Sequence, residues 1–331
     1  MLRIEAVKAV FESLPVTPHV LRSLRESARL LSVHYSTAIE GNRLTRQEVD
    51  DFFRKAVKPR TRDEREIRAY SVALDYIETL MQKTVPLTVE HLQKIHTLVE
   101  GGKPGGGAGT PWRDGQNAVY DSVSGAIIYM PPEAKDVPNL MSDLVDWLHS
   151  AVSELPVPLV AGLLHYQFVT IHPFYDGNGR TARLAATLVM RRYRYGMKGV
   201  YALEEYYARD LAAYYAAVAA HPHHNYYFGR ADADLTNWLD YFCTGVAEAF
   251  EKVKKVADAE RKRGGRDKSN QLRELDSRQR LALTLFARQQ NTTAAELGEV
   301  LGLSARNAAV LCRKWVNAGF LSVADPSKRA R

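Results

Sequence analysis

The fold class expected from this sequence is mainly α-helical, with one β-hairpin and a small helix-turn-helix module at the C-terminus. Three observations predict it. Apolar residues recur at helical spacing through most of the chain. One short segment, Trp112–Pro132, gathers strand-forming residues around a Ser-Gly turn. Beyond residue 277, short apolar-periodic stretches flank the turn Gly302-Leu303-Ser304.

In order, residues 1–32 read as a helical lead-in broken by Pro15 and Pro18. Residues 62–82 and 88–100 read as amphipathic helices. Gly101–Gly109 holds six glycines and a proline in nine residues and reads as a flexible loop. Val119, Tyr120, Ile127, Ile128 and Tyr129 then surround Ser122-Val123-Ser124-Gly125, a hairpin ended by Pro131-Pro132. Helices are expected at about 134–153, 158–171, 180–196, 204–220 and 232–257. Ala259–Gln271 is polar and glycine-broken, as a linker would be. A helix follows at 277–289, then one capped by Thr292 or Thr293, then Ala305–Ala318, capped by Ser304 and closed by Gly319. Gly319–Val323 is expected to begin a wing strand. The chain is thus divided into an N-terminal helical region 1–100, a core 101–258, a linker 259–276 and a C-terminal domain 277–331.

At 331 residues the chain can bury a large core, and a quarter of its residues are charged, as in ordinary globular proteins. No apolar run is long enough to span a bilayer, and residues 1–30 lack a signal-peptide layout. The two cysteines, Cys243 and Cys312, are far apart and lack metal-ligand spacing, so a reduced, cytoplasmic protein is expected. The net charge of +7 gathers mainly in Lys252–Arg273 and Arg306–Arg331, which permits nucleic-acid contact without requiring it.

The densest chemistry lies in Ile171-His172-Pro173-Phe174-Tyr175-Asp176-Gly177-Asn178-Gly179-Arg180-Thr181-Ala182-Arg183, between two apolar helical stretches. The spacing predicts a loop that enters the second helix through its glycines. N–H groups at a helix start attract phosphate, and Gly177 and Gly179 let the backbone curl into an anion-binding nest. Arg180 and Arg183, three apart, lie on neighbouring rows and can reach one anion. Asp176 is available to a divalent cation, and His172 to a proton.

This run resembles the Fic family, whose motif reads His-Pro-Phe-x-(Asp/Glu)-Gly-Asn-Gly-Arg-x-x-Arg, with every fixed position filled here. The resemblance implies a helical Fic core with a β-hairpin flap and a protein adenylyltransferase, which moves AMP from ATP to a Tyr, Thr or Ser hydroxyl of a target protein or of itself. His172 would be the general base, Asp176 would hold Mg²⁺, and Asn178 would donate to the α-phosphate. Gly177 and Gly179 would admit the phosphates closely, with Arg180 and Arg183 clamping the β- and γ-phosphates. Ser36-Thr37-Ala38-Ile39-Glu40-Gly41-Asn42 is similar to the family's inhibitory motif, (Ser/Thr)-x-x-x-Glu-(Gly/Asn), on a helix at about 30–42. Glu40, four residues after Ser36, would then take Arg183 from the γ-phosphate. Residues 112–132 resemble the family's flap, with Ile127, Ile128 and Tyr129 pairing to a target main chain or merely bracing the fold.

Residues 277–331 resemble the winged-helix domain of some members, with Arg306, Asn307, Arg313 and Lys314 facing DNA or a protein partner. Tyr206, Tyr207, Tyr214 and Tyr215 would flank the adenine or fill the core. A homodimer is the expected assembly. Two other activities are compatible with the motif: a deAMPylase or bifunctional enzyme in which Glu40 positions a water, and a nucleotide-sensing, DNA-binding regulator.

Overall fold

The computed structural model describes the chain apart from residues 14–15, 17, 56, 83–84, 104–108, 121–123, 221–223, 229–232, 263–274, 287–290 and 325–331. It divides into two compact units, Met1–Leu14 with Leu21–Asp258, and Pro15–Val20 with Ala259–Arg331.

In the larger unit the first helices are α1 (Leu2–Ser13), α2 (Pro18–Ile39), α3 (Arg46–Lys55), α4 (Arg62–Met81) and α5 (Val89–Val99). Helix α2 is longer than the expected inhibitory helix at 30–42, and Glu40 sits in the turn just past its end. Gly41 takes φ 91°, a left-handed turn that glycine adopts without a Cβ clash. Helix α3 was not expected from apolar spacing. It is started by Thr45 and Glu48, which exchange hydrogen bonds with each other's backbone, and it buries Val49 and Phe52. A capping box of the same kind, Thr61 with Glu64, starts α4.

The hairpin pairs β1 (Val119–Tyr120) antiparallel with β2 (Ile127–Tyr129), placing Val119 opposite Tyr129 and Tyr120 opposite Ile127. Part of its turn, Ser122 and Val123, lies outside the described residues, as do Pro104–Ala108 of the glycine-rich loop. Next come α6 (Val137–Glu154), α7 (Val157–Ile171) and α8 (Asn178–Met190). The helix expected over 180–196 stops early. Residues 191–195 form one widened turn, and Arg194 at φ 71° breaks the helical path. The helix expected over 204–220 is two, α9 (Glu204–Arg209) and α10 (Leu211–Val218), because extended Asp210 caps the second through Ala213 N–H at 2.9 Å. Last, α11 (Thr236–Lys262) enters the expected linker, since Ala259-Glu260-Arg261-Lys262 are good helix formers.

The centre of this unit is α7 packed along α8, with α4, α5 and α6 against the pair. Helices α4 and α5 both touch α8, so the division expected at residue 100 is not a division of packing. The core runs through Ile67, Tyr70, Leu92, Phe168, Leu184, Trp238, Phe242 and Phe250. Among the described residues, no helix is long and apolar enough to cross a membrane.

The smaller unit holds α12 (Ser277–Phe286), α13 (Ala294–Leu301) and α14 (Ala305–Asn317). Thr293 and Glu296 form a capping box on α13, Gly302 closes it at φ 64°, and Ser304 caps α14. Ala282, Leu297 and Trp315 form its core. A Cβ on Gly298 would come within 3.0 Å of Ala308, so a larger residue would push α13 and α14 apart. Helices α13 and α14 are joined through Gly302–Ser304, and Gly319–Val323, expected to begin a wing strand, is turn and coil, with no strand in those residues.

Candidate active site

Helix α7 ends at His172, which adopts φ 52° and ψ 58°, left-handed for a residue with a Cβ. Such a conformation costs on the order of 1 kcal/mol and persists only where neighbours fix it. Here Arg113, itself buried, fixes it. Its Nε donates to the His172 carbonyl at 2.9 Å, its backbone N–H donates to the Pro173 carbonyl at 3.0 Å, and its other nitrogens reach the carbonyls of Gly115 and Pro132. One guanidinium therefore ties the end of α7 to both ends of the hairpin segment. His172 Nδ1 lies 3.2 Å from the Val169 carbonyl, which assigns the proton to Nδ1 and leaves Nε2 as an acceptor. Burial lowers the His172 pKa, with Arg113 adding to it, so the ring is neutral near pH 7.

The loop that follows is equally constrained. Phe174 is buried and stacks on His96 with ring centroids 3.6 Å apart. His96 Nε2 bonds the Asp176 carbonyl at 2.9 Å, and burial pushes its pKa down to about 4, so it donates as the neutral tautomer. Gly177 takes φ 71°, where a Cβ would strike Glu100 at 2.6 Å. This turn aims the first N–H groups of α8, Asn178 to Arg180, outward with no intrahelical acceptor. The side chain of Asn178 is not aimed at the nest. Its Oδ1 accepts from Phe174 N–H at 3.0 Å and its Nδ2 donates to the Phe174 carbonyl at 2.8 Å, so it locks the loop, and only its backbone N–H belongs to the anion site.

The two arginines do not share an acceptor in this conformation. Arg180 Nη2 bonds Glu100 Oε1 at 3.0 Å and approaches Asp176 Oδ1 at 3.6 Å. Burial raises the Glu100 pKa, and the Asp176 charge raises it further against Arg180. Arg183 is held from helix α2: its Nε donates to Ser36 Oγ and its Nη2 to the Ser36 carbonyl, both at 2.9 Å, while Nη2 also meets Glu40 Oε1 at 2.7 Å. Burial alone would lower the Arg183 pKa. The Glu40 carboxylate outweighs it, and the guanidinium stays charged. Glu40 Oε1 lies 2.4 Å from the place a Gly179 Cβ would occupy, so it covers the nest. Arg183 Nη1, buried without a hydrogen-bond partner, lies beside the same glycine.

Asp176 has a largely exposed side chain whose Oδ1 accepts from Gly177 N–H at 2.6 Å. One exposed carboxylate beside an anion nest suits a hard, water-retaining cation such as Mg²⁺ that completes its shell with phosphate oxygens. Among the described residues no three His, Cys, Asp or Glu side chains could hold a metal together.

In the hairpin, Ile127 and Ile128 are 49% and 45% exposed. The Tyr129 hydroxyl bonds the Thr170 carbonyl at 2.7 Å and ties β2 to α7, as a bracing hairpin would. Tyr207 and Tyr214 belong to the core, and Tyr214 bonds the buried His165 at 2.9 Å. Tyr206 is partly buried against that core, and Tyr215 is half-exposed. Arg113, His96 and Glu100 carried no sequence signal. Each acts over a long sequence separation, and none forms a local pattern.

Residues 86–190 match the profile of the Fic/DOC family. Curated relatives named "Protein adenylyltransferase Fic" include one from Drosophila willistoni, 33% identical over 196 residues, 57% of this chain and 37% of the relative. One from Drosophila melanogaster is 33% identical over 195 residues, 56% of this chain and 37% of the relative. The chain therefore spans little more than a third of the length of the curated relatives it matches. Among solved structures, a Fic domain containing signaling protein from Bacteroides thetaiotaomicron superposes with TM-score 0.64 at 22% identity, over 78% of this chain and 97% of that one. A Fic family protein from Desulfovibrio desulfuricans gives TM-score 0.62 at 21% identity, over 96% of this chain and 87% of that one. The fold is shared with both of these structures, and the match to the Fic/DOC family lies in residues 86–190.

Proposed function

We propose that this chain is a protein adenylyltransferase that transfers AMP from ATP to a hydroxyl of a target protein or of itself, and that Glu40 holds it in check. The observation that carries this reading is the orphaned Nη1 of Arg183. A buried guanidinium nitrogen without an acceptor, beside the nest of α8, calls for an anion there. The names of the Drosophila relatives support the same activity.

In this reading the N–H groups of Asn178 to Arg180 seat the phosphates, with Gly177 and Gly179 permitting close approach. Nε2 of His172 takes the proton from the attacking hydroxyl, a task suited to a ring that is neutral at physiological pH. Asp176 would hold Mg²⁺, which supplies charge compensation for the leaving pyrophosphate when bound. Arg183 reaches the γ-phosphate only when Glu40 releases it. Ile127 and Ile128 present half-exposed side chains to the target, while the main chain beside them is met by residues 224–226, the Ile128 carbonyl by His224 Nδ1 at 2.6 Å and Met130 by His224 and Tyr226. The helix-turn-helix of residues 277–317 adds a site for DNA or protein, and we assign the whole to the cytoplasm as a homodimer.

The test is incubation with ATP labelled at the α-phosphate, Mg²⁺ and a lysate, followed by mass spectrometry. Transfer of label and an added AMP on protein, both lost in His172→Ala, are expected. Salt-sensitive binding to a specific DNA with no transfer would favour the regulator instead.

A further inference from the structure

Helix α2 carries more than the two residues that meet Arg183. Ser32, Ser36 and Glu40 are spaced by four and form one polar stripe. Ser32 and Ser36 are buried, which polar groups tolerate only when hydrogen-bonded. Ser36 finds Arg183. Ser32 Oγ donates instead to Glu204 Oε1 at 2.8 Å, and Tyr70 OH donates to the same oxygen at 3.1 Å. Glu204, the first residue of α9, is only 2% exposed. A carboxyl group so buried needs hydrogen-bond partners. Ser32 and Tyr70 are the donors. Arg183 lines, with Glu204, Tyr201 and Tyr207, a cavity of about 10 Å³, room for one water. The Tyr201 and Tyr207 hydroxyls have no hydrogen-bond partner.

We propose that Glu204 is a positioning residue for the Glu40–Arg183 contact. It anchors α2 two turns ahead of Glu40 and sets the register at which Ser36 and Glu40 arrive at Arg183. Glu40 is 31% exposed at the rim, whereas Glu204 is buried. When nucleotide displaces Glu40, the Ser32–Glu204 hydrogen bond remains, so α2 gives up one contact without losing its anchor. The catalytic consequence rests on the adenylyltransferase reading; the anchoring does not.

Glu204→Leu removes the acceptor for Ser32 and Tyr70, while Glu204→Gln keeps a carbonyl oxygen there. Transfer of α-phosphate label is expected to rise in Glu204→Leu by at least about fivefold, the lower end of typical coupling between sites. It should stay at the wild-type rate in Glu204→Gln, and Glu204→Leu should add nothing to Glu40→Gly. A folded Glu204→Leu protein that labels no faster than wild type overturns the proposal, as does an equal loss in both backgrounds. Should Glu204→Leu not fold, Ser32→Ala replaces it with the same expected and opposing results. Amide hydrogen exchange without nucleotide gives a reading independent of activity. Exchange at residues 30–40 should quicken in Glu204→Leu while residues 157–171 stay protected, and equal change in both segments, or none, overturns the anchor. If Glu40→Gly transfers no label, the adenylyltransferase reading has failed and exchange alone decides.

Discussion

The seam between α7 and α8 and the hairpin beside it are built to opposite standards. In the seam every group is fixed twice: His172 by Arg113 and Val169, Phe174 by His96 and Asn178, and Arg183 by Ser36 and Glu40. The hairpin pairs two residues with three and leaves its isoleucines half in water. Such a two-stranded ribbon is marginal by itself and depends on the ties from Arg113, Asn117 and Tyr129. Preorganised reacting groups require the first arrangement. A half-exposed apolar surface that meets a partner's side chains suits the second.

The contrast sorts substitutions by what they should damage. His172→Ala should lower label transfer by roughly 10²–10⁴-fold, the usual worth of a general base, with an almost unchanged melting temperature. A comparable loss of folded protein would mean that His172 serves packing. Phe174→Ala removes a buried ring and should cost about 3–5 kcal/mol in denaturant unfolding, with transfer lost as well. Stability without catalysis would separate the loop's packing from its geometry.

Acid should attack the seam as well. His96, at about 4, and His165, at about 3, are both lowered by burial. The unfolded chain, near 6.5 at each ring, binds more protons than the folded one below that pH. Stability is therefore full above pH 6.5 and falls as the pH drops toward 4 and then 3. His96→Gln should flatten the upper part of that slope in thermal melts. In the hairpin, Ile127→Asp should change stability by less than about 0.5 kcal/mol, as exposed substitutions do. It should raise the KM for a protein target several-fold at similar kcat, and an unchanged KM would leave the hairpin a brace only.

Legibility in the sequence follows the range of the interactions. The backbone curl at Gly177 is readable from its glycines, whereas the meeting of Glu40 with Arg183 is carried by the resemblance to the family's inhibitory motif. The side-chain type of Asn178 fits both phosphate donation and loop closure, and only the fold brings Phe174's backbone to it. Arg113, His96, Glu100 and Glu204 act alone, at sequence separations of 59, 80, 80 and 172 from the groups they meet. No local pattern marks them. The break at Asp210 and the helix at Arg46–Lys55 rest on single capping residues, a signal weaker than apolar periodicity.

Arg183 stands at the centre of the seam, with one nitrogen on Glu40 and another awaiting an acceptor. The direct test is the initial rate of α-phosphate label transfer for Glu40→Gly beside wild type at the same ATP and Mg²⁺ concentrations. Freed from its carboxylate, Arg183 should raise that rate by roughly 5–150-fold. Equal rates, with His172→Ala inactive in both, would contradict a shared Arg183.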